Sequence, residues 1–158
     1  MKEKRWTYGQ IVQLIKDNNI NYKKLIGIHI GSSPRWPSKR WHLDNIKEFI
    51  IKANNLGHEI LLFIGPNETT YFQPLLHKLN ELKIKIYQNN PNNTDKQFFS
   101  LINCCNMIVS GDTFALHIAL ALKKQTIGLF FCTPSNEIEG YNLLTKITSP
   151  YLYDFFPE

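Results

Sequence analysis

The sequence predicts an α/β protein with a five-stranded, mainly parallel sheet and helices on both faces. Three observations carry this expectation. Short apolar, β-type runs alternate along the chain with segments of helical periodicity. The β-type runs are nearly continuous in apolar residues, as in Ile60-Leu61-Leu62-Phe63-Ile64, which fits strands buried on both faces. The segments between them are the length of crossover helices, roughly 10–15 residues, and crossovers of that kind join parallel strands.

The elements follow in order. Thr7-x-x-Gln10 reads as a capping box that opens an amphipathic helix over 8–17, with Ile11, Val12, Leu14 and Ile15 as its apolar stripe and Asn18-Asn19 as its stop. Strand one is Leu25 to Ile30, ending at Gly31-Ser32-Ser33-Pro34. A helix spans Leu43 to Leu56, with Leu43, Ile46, Phe49, Ile50 and Ala53 on one face and Gly57 in the C′ position. Strand two is Glu59 to Ile64, and Gly65-Pro66-Asn67-Glu68 turns into a helix from Thr70 to Leu82. Pro74 belongs in the first turns of that helix, because deeper in it would remove a backbone bond. Strand three is Ile84 to Tyr87, followed by an Asn-rich loop over 88–93. Thr94-x-x-Gln97 is a second capping box, starting a helix to Cys104. Met107-Ile108-Val109 is strand four, Thr113 to Leu122 a helix, and Thr126 to Phe131 strand five. Residues 1–24 read as an N-terminal helix and linker, and 25–158 as one domain.

Composition narrows the function. The 158 residues include 18 Lys+Arg and 13 Asp+Glu, a net charge of +5, with 43% hydrophobic residues, enough to build a core. A basic cluster of Arg35, Lys39 and Arg40 falls in one loop, which suits a small anionic ligand rather than nucleic acid. No apolar run approaches the roughly 18–20 residues of a membrane helix, and Met1 to Trp6 lacks a signal-peptide core, so a cytoplasmic protein is expected. Cys104, Cys105 and Cys132 have neither disulfide-framework nor zinc-ligand spacing and read as buried small apolar residues; no metal is expected.

Ligands of parallel α/β sheets bind beyond the carboxyl ends of the strands, at the switch in strand order. That directs attention to the loops 31–41, 65–69, 110–114 and 132–137. Ser32 and Ser33 are small enough for backbone N–H groups to approach a phosphate, with Lys39 to neutralise it. Ser110-Gly111-Asp112-Thr113 follows strand four and opens a helix, with His117 one turn on, so a hydroxyl, helix amides and an imidazole surround one spot suited to an anion. Glu68 is a carboxylate placed to accept from ribose hydroxyls. Plainer alternatives stand beside these: a solvated basic loop, an N-cap for Asp112 or Thr113, a core histidine at 117 and an exposed turn carboxylate at 68. The dinucleotide fingerprint G-x-G-x-x-G and the Walker P-loop are both absent.

Taken in order, these residues resemble glycosyltransferase family 9, the ADP-heptose:lipopolysaccharide heptosyltransferases. The resemblance rests on Ile28-His29-Ile30-Gly31-Ser32-Ser33, Lys39-Arg40-Trp41, Gly65-x-x-Glu68, Val109 to Ala119, Thr126 to Phe131 and Thr133-Pro134, within about residues 25–140. The family signature in the fourth of these segments is usually Asp-Ser/Thr-Gly-Pro-x-His; here Phe114 stands at its Gly, and Phe131-Cys132-Thr133-Pro134 stands for a Phe-Gly-Pro-Thr turn.

The resemblance implies a Rossmann-like nucleotide-sugar-binding domain over 25–158, the C-terminal half of the two-domain architecture called GT-B. It implies that Lys39 contacts the donor pyrophosphate, Glu68 the ribose, and Asp112, Thr113 and His117 the sugar and phosphates. The donor, ADP-heptose by resemblance, is a substrate, and no cofactor is expected. The acceptor domain, with the family's catalytic Asp, is expected on a separate chain or segment, so no catalytic base is assigned here. A lipopolysaccharide-type acceptor would bring peripheral association with a membrane. A non-catalytic nucleotide-binding module, or a remnant without the acceptor domain, is the alternative.

Overall fold

The computed structural model describes residues 24–31, 41–130, 136 and 138–148. The helix expected over 8–17, the loop 32–40, Cys132 and the turn at 133–134 lie outside the described residues.

The strands are β1 (Leu25–His29), β2 (Glu59–Leu62), β3 (Tyr87–Gln88), β4 (Met107–Gly111), β5 (Gln125–Phe130) and β6 (Leu144–Thr148). The helices are α1 (Leu43–Asn55), α2 (Thr69–Glu81), α3 (Asp95–Cys104) and α4 (Phe114–Ala121). The sheet order is β3-β2-β1-β4-β5-β6, and every neighbouring pair is parallel. The chain winds outward from β1 to β3, returns to the other side of β1, and winds outward again to β6. The switch therefore falls between β1 and β4, where a crevice opens at the carboxyl edge.

Period-2 geometry explains why helices are needed on both faces. Ile26, Ile28, Ile60 and Leu62 point to one side, where Ile46 and Ile50 of α1 and Phe72 and Leu75 of α2 cover them. Leu25, Leu61 and Ile108 join a second cluster with Leu101 and Ile102 of α3 and Ala115 and Ala119 of α4. In α4, Ala115 and Leu116 are buried while Phe114 and His117 are exposed, which fixes the rotation of this short helix.

The helix signals are realised locally. Thr94 Oγ1 accepts from the Gln97 N–H (3.3 Å) and Gln97 Oε1 accepts from the Thr94 N–H (3.0 Å), a complete capping box. Gly57 takes φ +85°, the left-handed angle that closes α1. Pro74 lies in the second turn of α2, where its missing N–H removes one helical bond. Cys105 is buried, and its burial pushes the thiol pKa up; partial burial does the same at Cys104, so both disfavour thiolate chemistry.

The expectations need correction at three places. Among the described residues the sheet has six strands, not five: β6 pairs with β5 from Thr126↔Leu144 to Phe130↔Thr148. Its residues Leu-Thr-Lys-Ile-Thr are largely exposed, because a strand at the edge of the described sheet does not need a continuous apolar run. The third strand shrinks to Tyr87–Gln88, and Ile84 and Ile86 pack on the core without joining the ladder. Strand four runs on to Gly111, so Ser110 and Gly111 pair with β5 rather than following the strand.

Candidate functional site

A cavity of about 300 Å³ opens at the carboxyl edge of β1, β2 and β4, at the switch in strand order. His29 lines it from the end of β1, Gly31 from the chain just beyond it, Glu68 from the turn before α2, Phe98 from α3, and Thr113 and Phe114 from the start of α4. A smaller space of about 120 Å³ adjoins it past His29, Gly65 and Phe98 and is edged by Asn89, Asn93 and Asp95.

Glu68 is not an exposed turn carboxylate: only 8% of its surface is accessible. It stands at the N-cap of α2, but its side chain turns away from the helix, and Oε1 accepts from the Gly65 N–H at 3.0 Å. Two glycines make that possible. A Cβ on Gly31 would overlap both carboxylate oxygens, and one on Gly65 would lie 2.8 Å from Oε1. The carboxylate is thus seated on backbone that bears no side chain, beside the positive end of α2.

Across the cavity, Thr113 is the N-cap of α4 but makes no side-chain cap bond. Its hydroxyl faces the sheet instead, 3.3 Å from Ser110 Oγ and 3.4 Å from His29 Nδ1. Ser110 donates its own proton to the Gly111 carbonyl (2.9 Å), which leaves it an acceptor towards Thr113. His29 lies near the rings of Phe63 (6.3 Å) and Phe98 (5.8 Å). Burial lowers its pKa from 6.5 to about 4, so the imidazole is neutral at physiological pH. Asp112 is partly buried in the turn before Thr113, and His117 is exposed on α4, which excludes a core histidine there. Glu68 and Thr113 therefore share one cavity, whereas His117 is not among the residues lining it. Ser32, Ser33 and Lys39 lie outside the described residues. Among the described residues, no group of three His, Cys, Asp or Glu is placed to hold a metal ion. The arrangement suits an anion at the first turn of α4 and hydroxyl groups at Glu68.

Comparison with known proteins identifies the family. The family model Glycosyltransferase family 9 (heptosyltransferase) matches residues 9–152. The chain belongs to glycosyltransferase family 9. Over 111 residues it is 27% identical to lipooligosaccharide heptosyltransferase 2 of Campylobacter jejuni, covering 70% of this chain and 34% of that protein. The family 9 glycosyltransferase of Veillonella parvula superimposes with a TM-score of 0.71 at 18% identity, covering 94% of this chain and 42% of that one. The E. coli heptosyltransferase WaaC, solved with ADP-2-deoxy-2-fluoro heptose, does so with a TM-score of 0.64 at 17% identity, covering 80% and 37%. At such identities the structures speak to the fold alone. The chain spans about a third of the length of the curated relatives it matches, 30% and 34% in two cases. Partial coverage of this kind accords with one half of a GT-B architecture.

Within this family 9 chain, the signature segment forms the end of β4 and the first turns of α4, bordering the cavity through Thr113, Phe114 and Ala115. Two contributors escaped the sequence reading. His29 reads as one more residue of a β run; only the tertiary fold places it under Thr113. Asn89 sits in an Asn-rich loop, yet it is buried, accepts from the Ile64 N–H at 2.7 Å and donates to the Ile64 carbonyl at 3.3 Å. This two-way clamp continues the β2–β3 pairing with a side chain and steadies the backbone just before Gly65, whose N–H holds Glu68.

Proposed function

We propose that the chain is the donor-binding half of a heptosyltransferase-like enzyme and holds a nucleotide-diphosphate sugar, ADP-heptose by family, for transfer to a lipopolysaccharide-type acceptor. The observation that carries this reading is the buried Glu68 carboxylate facing the first turn of α4 across a cavity at the switch point. Glu68 would accept from the ribose hydroxyls, a charge-assisted pairing. The α4 amides would meet the diphosphate, with Thr113 and Asp112 at its sugar end and His117 reaching in from the exposed side of the helix. Lys39, with Ser32 and Ser33 in the same loop, would neutralise the phosphates. In transfer, the bond from the anomeric carbon to the diphosphate oxygen breaks, and the nucleotide diphosphate leaves with added negative charge. Lys39 and the helix amides would stabilise that charge without a metal. The base that takes the acceptor hydroxyl's proton would come from the acceptor domain, on another segment or chain.

No helix among the described residues is long and apolar enough to cross a membrane. A cytoplasmic site of action, with the membrane met only through the acceptor, is part of the proposal; free thiols at Cys104 and Cys105 accord with a reducing compartment.

Calorimetric titration with ADP tests the reading. The chain is expected to bind ADP, and Lys39→Ala to weaken binding by about 10- to 100-fold, the worth of one charge-assisted hydrogen bond of ~1.5–3 kcal/mol. Unchanged affinity in Lys39→Ala would remove that residue from the site, and no binding of ADP by the parent chain would overturn the reading.

A further inference from the structure

We propose that Phe114 is a specificity-determining residue whose ring limits the size of the group that the site accepts on the terminal phosphate. The inference rests on the nucleotide-binding reading above and goes beyond it.

Phe114 is the first residue of α4 and borders the cavity beside Thr113, yet 61% of its surface is exposed. An aromatic ring exposed at the mouth of a cavity is available to whatever enters that cavity. The ring cannot withdraw by rotation of the helix, because its neighbours Ala115 and Leu116 are 1% and 0% exposed. Nor does it lie loose: it leans on Phe99 of α3, with centroids 6.0 Å apart and planes at 58°. Phe98, next to Phe99, lines the same cavity and is packed edge-on to Phe63 at 5.4 Å, which anchors the aromatic wall in the core.

The consequence is steric. An anion held by the first turn of α4 lies next to the residue that begins that turn. Whatever is bonded to the far side of such a phosphate must pass the Phe114 ring. The cavity measures about 300 Å³, at the lower end of the ~300–1,000 Å³ typical of ligand pockets. A nucleotide diphosphate with a bare terminal phosphate does not meet the ring, whereas one bearing a bulky sugar does. Phe114 therefore discriminates against bulk at the sugar end and leaves the nucleoside end, at Glu68, unaffected.

The test measures ADP and ADP-heptose affinities by calorimetry for the parent chain, Phe114→Gly and Phe114→Ala. The alanine variant keeps a good helix former at this position and guards against a glycine that frays α4. The expected result is a shift of the affinity ratio towards ADP-heptose by roughly tenfold in both variants, with ADP affinity nearly constant. An unchanged ratio would overturn the inference while ADP binding upheld the nucleotide reading. A ratio shifted towards ADP would overturn it too, showing the ring to be a stacking platform for the sugar. No ADP binding by any of the three proteins would overturn both the inference and the reading beneath it.

Discussion

Replacing Gly31 by alanine should remove most of the nucleotide affinity and leave the fold standing. The added Cβ would occupy the place of the Glu68 carboxylate, and that carboxylate is the far end of a flexible side chain. It will therefore yield by swinging out of its seat, giving up the Gly65 N–H bond of 3.0 Å. The stability cost should be at most about 1.5–3 kcal/mol, the worth of one hydrogen bond to a charged group. Binding suffers as well, because the carboxylate leaves the position from which it would meet ribose hydroxyls. Affinity for ADP should fall by about 10- to 100-fold, corresponding to ~1.5–3 kcal/mol. Glu68→Ala should produce the same loss, and the double variant should be no worse than either single one, since both act on one contact. Additive losses in the calorimetric cycle would show that Gly31 acts by another route.

His29 should make the protein sensitive to mild acid. Its pKa falls from 6.5 to about 4 on folding, so the unfolded chain binds a proton that the folded chain refuses. The sign follows directly. Stability is fully present above pH ~6.5 and is lost as the pH drops towards 4, by at most about 3.5 kcal/mol at ~1.4 kcal/mol per pH unit. His29→Phe removes the titration and keeps an aromatic ring beside Phe63 and Phe98. Urea unfolding of the parent chain should lose stability between pH 6.5 and 5, before most carboxylates titrate, and the variant should lose much less. Parallel profiles for the two proteins would show that His29 is not desolvated.

These two predictions also mark the boundary of what the sequence discloses. Strands β1, β2, β4 and β5 are legible because burial on both faces forces long apolar runs, and the Thr94–Gln97 box announces α3 through purely local chemistry. Strand β6 is not legible: Leu144-Thr145-Lys146-Ile147-Thr148 needs only one partner strand, so solvent tolerates its polar residues. Ile84 and Ile86 mislead for the opposite reason, being apolar to pack on the core while the ladder begins only at Tyr87.

The site shows the same division. Glu68 and Thr113 stand out by their place at the carboxyl edge of a predicted sheet. The burial of Glu68 does not, because it depends on Gly31, which is remote in sequence and carries no visible chemistry. His29 and Asn89 are invisible for a related reason. A desolvated imidazole and a side chain that pairs with a strand backbone are both created by tertiary contact, and neither leaves a local pattern.

The claim that a nucleotide occupies the carboxyl-edge cavity is tested most directly by an ADP titration of the isotopically labelled chain, followed through its backbone amide resonances. The largest shifts are expected at Gly31, Gly65 and Thr113 to Ala115, which border that cavity. A separate space, about 520 Å³ between α1 and α2, is edged by His42, Lys47 and Lys78 and supplies the comparison. Shifts concentrated there, with the amides of Gly65 and Thr113 unmoved, would show that the nucleotide does not bind at the carboxyl edge.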